Sequence, residues 1–131
     1  MNGGCCCGVV RYQIEGSHTW ATNCHCEHCR RTSGAPFLTW IEVESSQFSV
    51  VKGVPSRYES RPQVVRQFCS SCGTQLTYQH ADRLDLLYVT ACSLDTLDSI
   101  TPEDEIWCDR MAPWIVLAEG LTHYNLERPD K

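Results

Sequence analysis

Seven cysteines fall in three tight clusters along this chain: Cys5 with Cys7, then Cys24, Cys26 and Cys29, then Cys69 with Cys72. Neighbours this close converge easily on one ion. They make awkward disulfide partners, because a bridge needs a specific Cα separation and dihedral. Disulfide scaffolds also belong to short secreted chains, and this N-terminus has no basic start followed by an apolar run. The cysteines therefore read as metal ligands in a reducing compartment, with the cytoplasm as the expected location. No stretch approaches the roughly 20 apolar residues that span a bilayer, so no membrane partner is expected.

A chain of 131 residues suits a single domain over 1–131 with a core of its own, which a metal would supplement. Its formal net charge of −5 is a poor match to phosphate backbones, so no nucleic-acid partner is expected. The pattern is one of short alternating runs broken by Gly, Pro, Ser and Asp, which predicts a mainly β fold with little helix. Strands are expected at Val10–Ile14, Phe37–Val43, Phe48–Lys52, Val64–Phe68, Leu76–Tyr78 and Leu84–Thr90, the last as a central strand. Val64–Phe68 and Leu76–Tyr78 read as a hairpin through Cys69 and Cys72. One short helix is expected from Glu27 to Thr32, ended by Ser33-Gly34, and one helical turn over Leu94–Asp98 with Ser93 as its N-cap.

Cys5-Cys6-Cys7 offers a Cys-x-Cys pair, and Cys69-Ser70-Ser71-Cys72-Gly73 offers a Cys-x-x-Cys pair at a sharp turn. Two such pairs, far apart in sequence, give the closed four-thiolate shell of a structural zinc. Alternate residues of an extended segment point the same way, which selects Cys5 and Cys7 and leaves Cys6 a spare thiol. Cys92 and Cys108 are solitary and read as small buried hydrophobes.

Cys24-His25-Cys26-Glu27-His28-Cys29 offers three thiolates within six residues. Three protein ligands leave a fourth tetrahedral position for water or substrate. His25 or His28 could instead fold back and close the shell, which would make the site structural. An open three-thiolate zinc is a poor Lewis acid towards water but suits a fourth sulfur. An incoming thiol would lose its proton there and become a nucleophile towards an aldehyde. Arg30 and Arg31 follow directly and could receive a substrate's carboxylates, or be solvated surface.

Together, Gly4-Cys5-Cys6-Cys7-Gly8, Cys24-His25-Cys26 to Cys29-Arg30-Arg31 with Ser33-Gly34-Ala35, and Phe68-Cys69 to Cys72-Gly73-Thr74 resemble the glutathione-dependent formaldehyde-activating enzyme family, which includes centromere protein V. Ile106-Trp107 and Pro113-Trp114 look like that family's closing aromatic segment, so the resemblance covers about residues 3 to 121. It implies a zinc-braced β-tent of twisted antiparallel sheets. It implies two zinc ions per chain, one on Cys5, Cys7, Cys69 and Cys72 and one on Cys24, Cys26 and Cys29, the second near a glutathione site. The reaction it implies is carbon–sulfur lyase chemistry in which glutathione and formaldehyde join as S-hydroxymethylglutathione. Two other readings stand beside it: a zinc-braced module that binds a protein or thiol without turnover, and a zinc ribbon for nucleic acid, which the net charge disfavours.

Overall fold

The computed structural model describes residues 1–129. In chain order its elements are β1 (Asn2–Gly4), β2 (Arg11–Ile14), β3 (Trp20–Cys24), α1 (Glu27–Ser33), β4 (Leu38–Glu44), β5 (Phe48–Lys52), β6 (Ser56–Arg61), β7 (Val64–Phe68), β8 (Gln75–His80), β9 (Leu86–Thr90), β10 (Asp104–Ile106) and β11 (Thr122–His123). The fold is mainly β and its strands form two sheets. A three-stranded sheet runs β1-β2-β5, and an eight-stranded sheet runs β11-β10-β3-β4-β9-β8-β7-β6. No helix among the described residues is long and apolar enough to cross a membrane.

Period-2 alternation explains how one sheet serves two purposes, since successive side chains of a strand point to opposite faces. On one face of the large sheet Ala21, Ile41, Val43, Leu87 and Val89 meet Tyr12 and Ile14 of the small sheet, with Val10 just before β2, and close the main core. On the other face the strand registers align Arg66 with Tyr78, Tyr78 with Tyr88, Tyr88 with Glu42, and Glu42 with Trp20. That second row is polar and aromatic, and it lines a cleft instead of a core.

Most expected elements are present, with shifted ends: β2, β4, β5, β7, β8 and β9 match the alternating runs. β9 lies inside the sheet between β4 and β8, as a central strand should. The hairpin through Cys69 and Cys72 forms as β7 paired with β8. Helix α1 ends at Gly34, whose left-handed φ of 68° lets its N–H reach the Arg30 carbonyl at 2.7 Å.

Four expectations need correction. The sheets are not wholly antiparallel, because β10 pairs in parallel with both β3 and β11. No helical turn covers Leu94–Asp98; a 3-10 turn lies earlier, at Ala91–Ser93, with Thr90 as its N-cap. Thr90 Oγ1 meets the Ser93 hydroxyl at 2.9 Å, and Ser93 donates back to the Thr90 carbonyl at 2.8 Å, so Ser93 closes the turn rather than opening the next. Cys92 is exposed and Cys108 only half-buried, since the first sits on that short turn and the second opens another, Cys108–Arg110, just after β10. Cys5 and Cys7 do share a cluster, but on a turn and not an extended segment: the Gly8 N–H donates to the Cys5 carbonyl at 3.1 Å.

Gly53, which follows β5, has a φ of 72°, and a Cβ there would stand 2.2 Å from the Val9 carbonyl oxygen. Backbone cannot yield cheaply to such an approach. Gly53→Ala is expected to lower stability by about 1–3 kcal/mol, read as a lower urea midpoint with an unchanged slope.

Candidate metal centres and cleft

The first cysteine group joins the N-terminal turn to the β7–β8 hairpin. Sγ atoms of Cys5, Cys7, Cys69 and Cys72 lie within 4.8 Å of one another. Cys5 and Cys7 sulfurs are 3.6 Å apart, and Cys7 and Cys69 sulfurs 3.8 Å. Sulfurs at the corners of a tetrahedron with metal–sulfur bonds of ~2.3 Å would be ~3.8 Å apart, so the group could hold a metal ion. All ten cysteines are free thiols. The turns are pinned on both sides: Gly73 donates to the Cys69 carbonyl at 2.7 Å, and Cys6 N–H to the Thr74 hydroxyl at 3.0 Å. Thr74 also hydrogen-bonds the Cys72 sulfur, and this draws the Cys72 thiol down to about 5. Cys6 itself is exposed and outside the group.

The second group is Cys24, Cys26 and Cys29, again with sulfurs within 4.8 Å of one another. Cys24 ends β3, whose five residues are all buried. Cys26 is the N-cap of α1, and its sulfur accepts the Cys29 N–H at 3.3 Å. Cys29 lies one turn into the helix and accepts the Trp40 indole N–H at 3.4 Å. The end of β3 and the start of α1 thus turn the three sulfurs towards one point. Hydrogen bonds from the Cys24 and Cys29 thiols, reinforced by the Arg66 charge, pull the Cys26 thiol well below its ordinary value.

Neither histidine of this stretch joins the sulfurs. His25 is 0% exposed, its Nε2 sits 3.0 Å from Glu105 Oε1, and its ring packs on Phe37. Glu105 is buried too, and its other oxygen accepts the Ala118 N–H at 2.9 Å. The carboxylate therefore ties the cysteine stretch, through His25, to the C-terminal segment. His28 instead lines the cleft.

That cleft has a volume of about 510 Å³ and receives all three cysteines of the second group, within the size range of small-molecule sites. Trp20, Trp40, Tyr78, Tyr88 and Trp107 supply its aromatic walls. Trp107 holds a left-handed φ of 57°, a strained position for a bulky residue, fixed by its N–H bond to the Leu126 carbonyl at 3.1 Å. Of the expected aromatic pair, Ile106 and Trp107 reach the cleft, whereas Trp114 is 73% exposed. Arg30 and Arg31 are not among the lining residues. Arg31 is exposed and pairs with Glu27 at 2.8 Å, and the Arg30 Nε is buried without a partner. The cleft's arginines are Arg61, Arg66, Arg83 and Arg110. No motif marks them; only the cross-strand register brings Arg66 to this face.

A mainly β chain with two cysteine groups that could each hold a metal ion, one of four sulfurs and one of three beside an aromatic cleft, defines the class of protein. Residues 1–110 match the model of the family described as glutathione-dependent formaldehyde-activating enzyme, and the chain belongs to that family. It is 24% identical over 107 residues to an uncharacterized lyase of Schizosaccharomyces pombe, covering 82% of this chain and 77% of that protein. It is 27% identical over 104 residues to a Halomonas elongata protein that carries the name of a glutathione-dependent formaldehyde-activating enzyme, covering 73% of this chain and 66% of the other. A Rhodobacter sphaeroides protein of known crystal structure shares the fold, with a TM-score of 0.64, 22% identity, and coverage of 95% of this chain and 99% of that one.

Glu105→Ala would leave the buried His25 ring without its acceptor. The expected cost is about 1–3 kcal/mol, with Glu105→Gln retaining most of the stability. Urea titration measures this, and faster labelling of Cys26 by a thiol reagent in Glu105→Ala than in wild type would show the loosened ligand stretch.

Proposed function

We propose that the chain is a zinc-dependent carbon–sulfur lyase acting on thiol–aldehyde adducts, with glutathione and formaldehyde as the pair suggested by its family. The observation that carries this reading is the odd ligand count beside a cleft: three sulfurs, no histidine closing the shell, and room for a small molecule. Family membership supports the reaction class.

Cys24, Cys26 and Cys29 would hold one zinc, and Cys5, Cys7, Cys69 and Cys72 a second, structural one. When bound at the three-cysteine site, zinc would supply a fourth position where a substrate thiol loses its proton and gains nucleophilicity. The chain's own residues prepare that site. Trp40 fixes Cys29 through its indole N–H, and the helix backbone fixes Cys26. Trp20, Tyr78 and Tyr88 give the cleft an aromatic wall beside the three cysteines, which lowers the polarity around contacts made against it. In the synthetic direction the S–C bond forms at the aldehyde carbon and a proton ends on the aldehyde oxygen. No oxidant is needed. The reverse breaks the same bond.

Native mass spectrometry tests the ligand assignment. Two zinc ions per chain are expected in the wild type and one in Cys26→Ala, with glutathione adding to the wild type only. Cys26→Ala is expected to remain folded and lose turnover; an active Cys26→Ala enzyme would sink the mechanism. Cys69→Ala is expected to act differently, losing the structural ion and several degrees of thermal stability, because that group ties the N-terminal turn to the central hairpin.

A further inference from the structure

Arg66 is 1% exposed, yet no carboxylate of the described residues pairs with it. Its Nη1 has no hydrogen-bond partner, and its Nε makes a single 3.3 Å bond to the Ser60 hydroxyl. The guanidinium instead lies against two aromatic rings, with Cζ 5.8 Å from the centroid of Trp40 and 5.0 Å from that of Tyr78. Such contacts orient a guanidinium but leave its N–H groups unsatisfied. Burying a lone charge is costly unless it is paired and hydrogen-bonded. The side chain nevertheless sits in the cleft wall. An acceptor for Nη1 is missing among the described residues, and the cleft is the side from which one can enter.

Trp40 sets where that partner must be. Its indole N–H is given to the Cys29 sulfur, while its ring face meets Arg66. One aromatic residue thus separates the three-sulfur group from the unpaired guanidinium. Of the other cleft arginines, Arg83 and Arg110 have acidic neighbours in Asp85 and Asp109. Arg66 is the buried one without such a partner.

We propose that Arg66 is the specificity-determining residue of the cleft: it receives a carboxylate of the substrate, whose thiol lies at the three-cysteine site. This rests on the thiol reading given above. It selects acidic thiols over neutral ones of the same size. Its forked geometry suits a planar carboxylate better than a point charge would.

Calorimetric titration of zinc-loaded protein with three probes tests this: 3-mercaptopropionate, 2-mercaptoethanol and propionate. The wild type is expected to bind the acidic thiol about 10- to 100-fold tighter than the neutral one. Arg66→Gln should erase that preference, lowering the affinity for 3-mercaptopropionate far more than that for 2-mercaptoethanol. Arg66→Lys keeps the charge and is the variant to use should the glutamine form fail to fold; it should lose most of the preference. A preference that survives in both variants would overturn the proposal. So would an equal weakening of both thiols, which would make the guanidinium a counter-charge for the cysteines. Should propionate and 3-mercaptopropionate bind the wild type equally and in an Arg66-dependent way while 2-mercaptoethanol does not bind, the carboxylate site stands and the thiol reading of the metal site falls. Binding of none of the three would overturn both.

Discussion

Seven thiols packed into two groups, each with its sulfurs within 4.8 Å of one another, set the terms for the whole molecule. As thiolates they repel strongly at such distances; as neutral thiols they form only weak hydrogen bonds. A cation among them would resolve the conflict and turn repulsion into a cross-link. The four-sulfur group would then join segments some sixty residues apart, and the N-terminal turn would become part of the same body as the β7–β8 hairpin. The three-sulfur group draws the end of β3 and the start of α1 to one point beside β4. The two groups differ in the number of sulfurs and in what lies beside them, and the proposed division between a closed structural ion and an open reactive one follows from that.

The large sheet makes the second group useful. Its inner face is committed to the core by Ile41, Val43 and Val89, which are all fully buried. Its outer face carries Trp20, Tyr88, Tyr78 and Arg66 in one cross-strand row. Tyr88 gives its hydroxyl proton to Glu42 at 2.7 Å, and burial together with that carboxylate pushes the phenol well up from its ordinary value. The hydrogen bond holds the phenol in the cleft wall. The parallel strands β10 and β11 extend this sheet and bring Glu105 beneath His25.

Much of this was legible in the chain itself. Cysteine spacing named both groups whose sulfurs cluster and could hold a metal ion, because short spacings at turns bring sulfurs together. The helix after Cys26 was marked by Gly34, and the hairpin by Cys69, Cys72 and Gly73. Other parts were hidden for physical reasons. β3 has all five residues buried, so it shows no alternation to betray a strand. β10 and β11 are three and two residues long, too short for any periodic signal. Arg66 is the most instructive case. A charge between Val64, Val65 and Phe68 suggests a solvent-facing position, yet the side chain lies against Trp40 and Tyr78 from two other strands. Arg30 and Arg31 stood beside the cysteines in sequence and drew attention for that reason, but the helix carries them out of the cleft wall. Only tertiary register distinguishes the two sets of arginines.

X-ray absorption at the zinc edge tests the central claim most directly, because it reads the ligands of the ions themselves. Metal–sulfur distances of ~2.3 Å should dominate the first shell, with no imidazole signature from His25 or His28. Adding a small thiol should raise the sulfur count and remove any light-atom ligand. A shell that already contains an imidazole nitrogen, or one that does not change with thiol, would mean that the three-cysteine site is closed and would contradict the account.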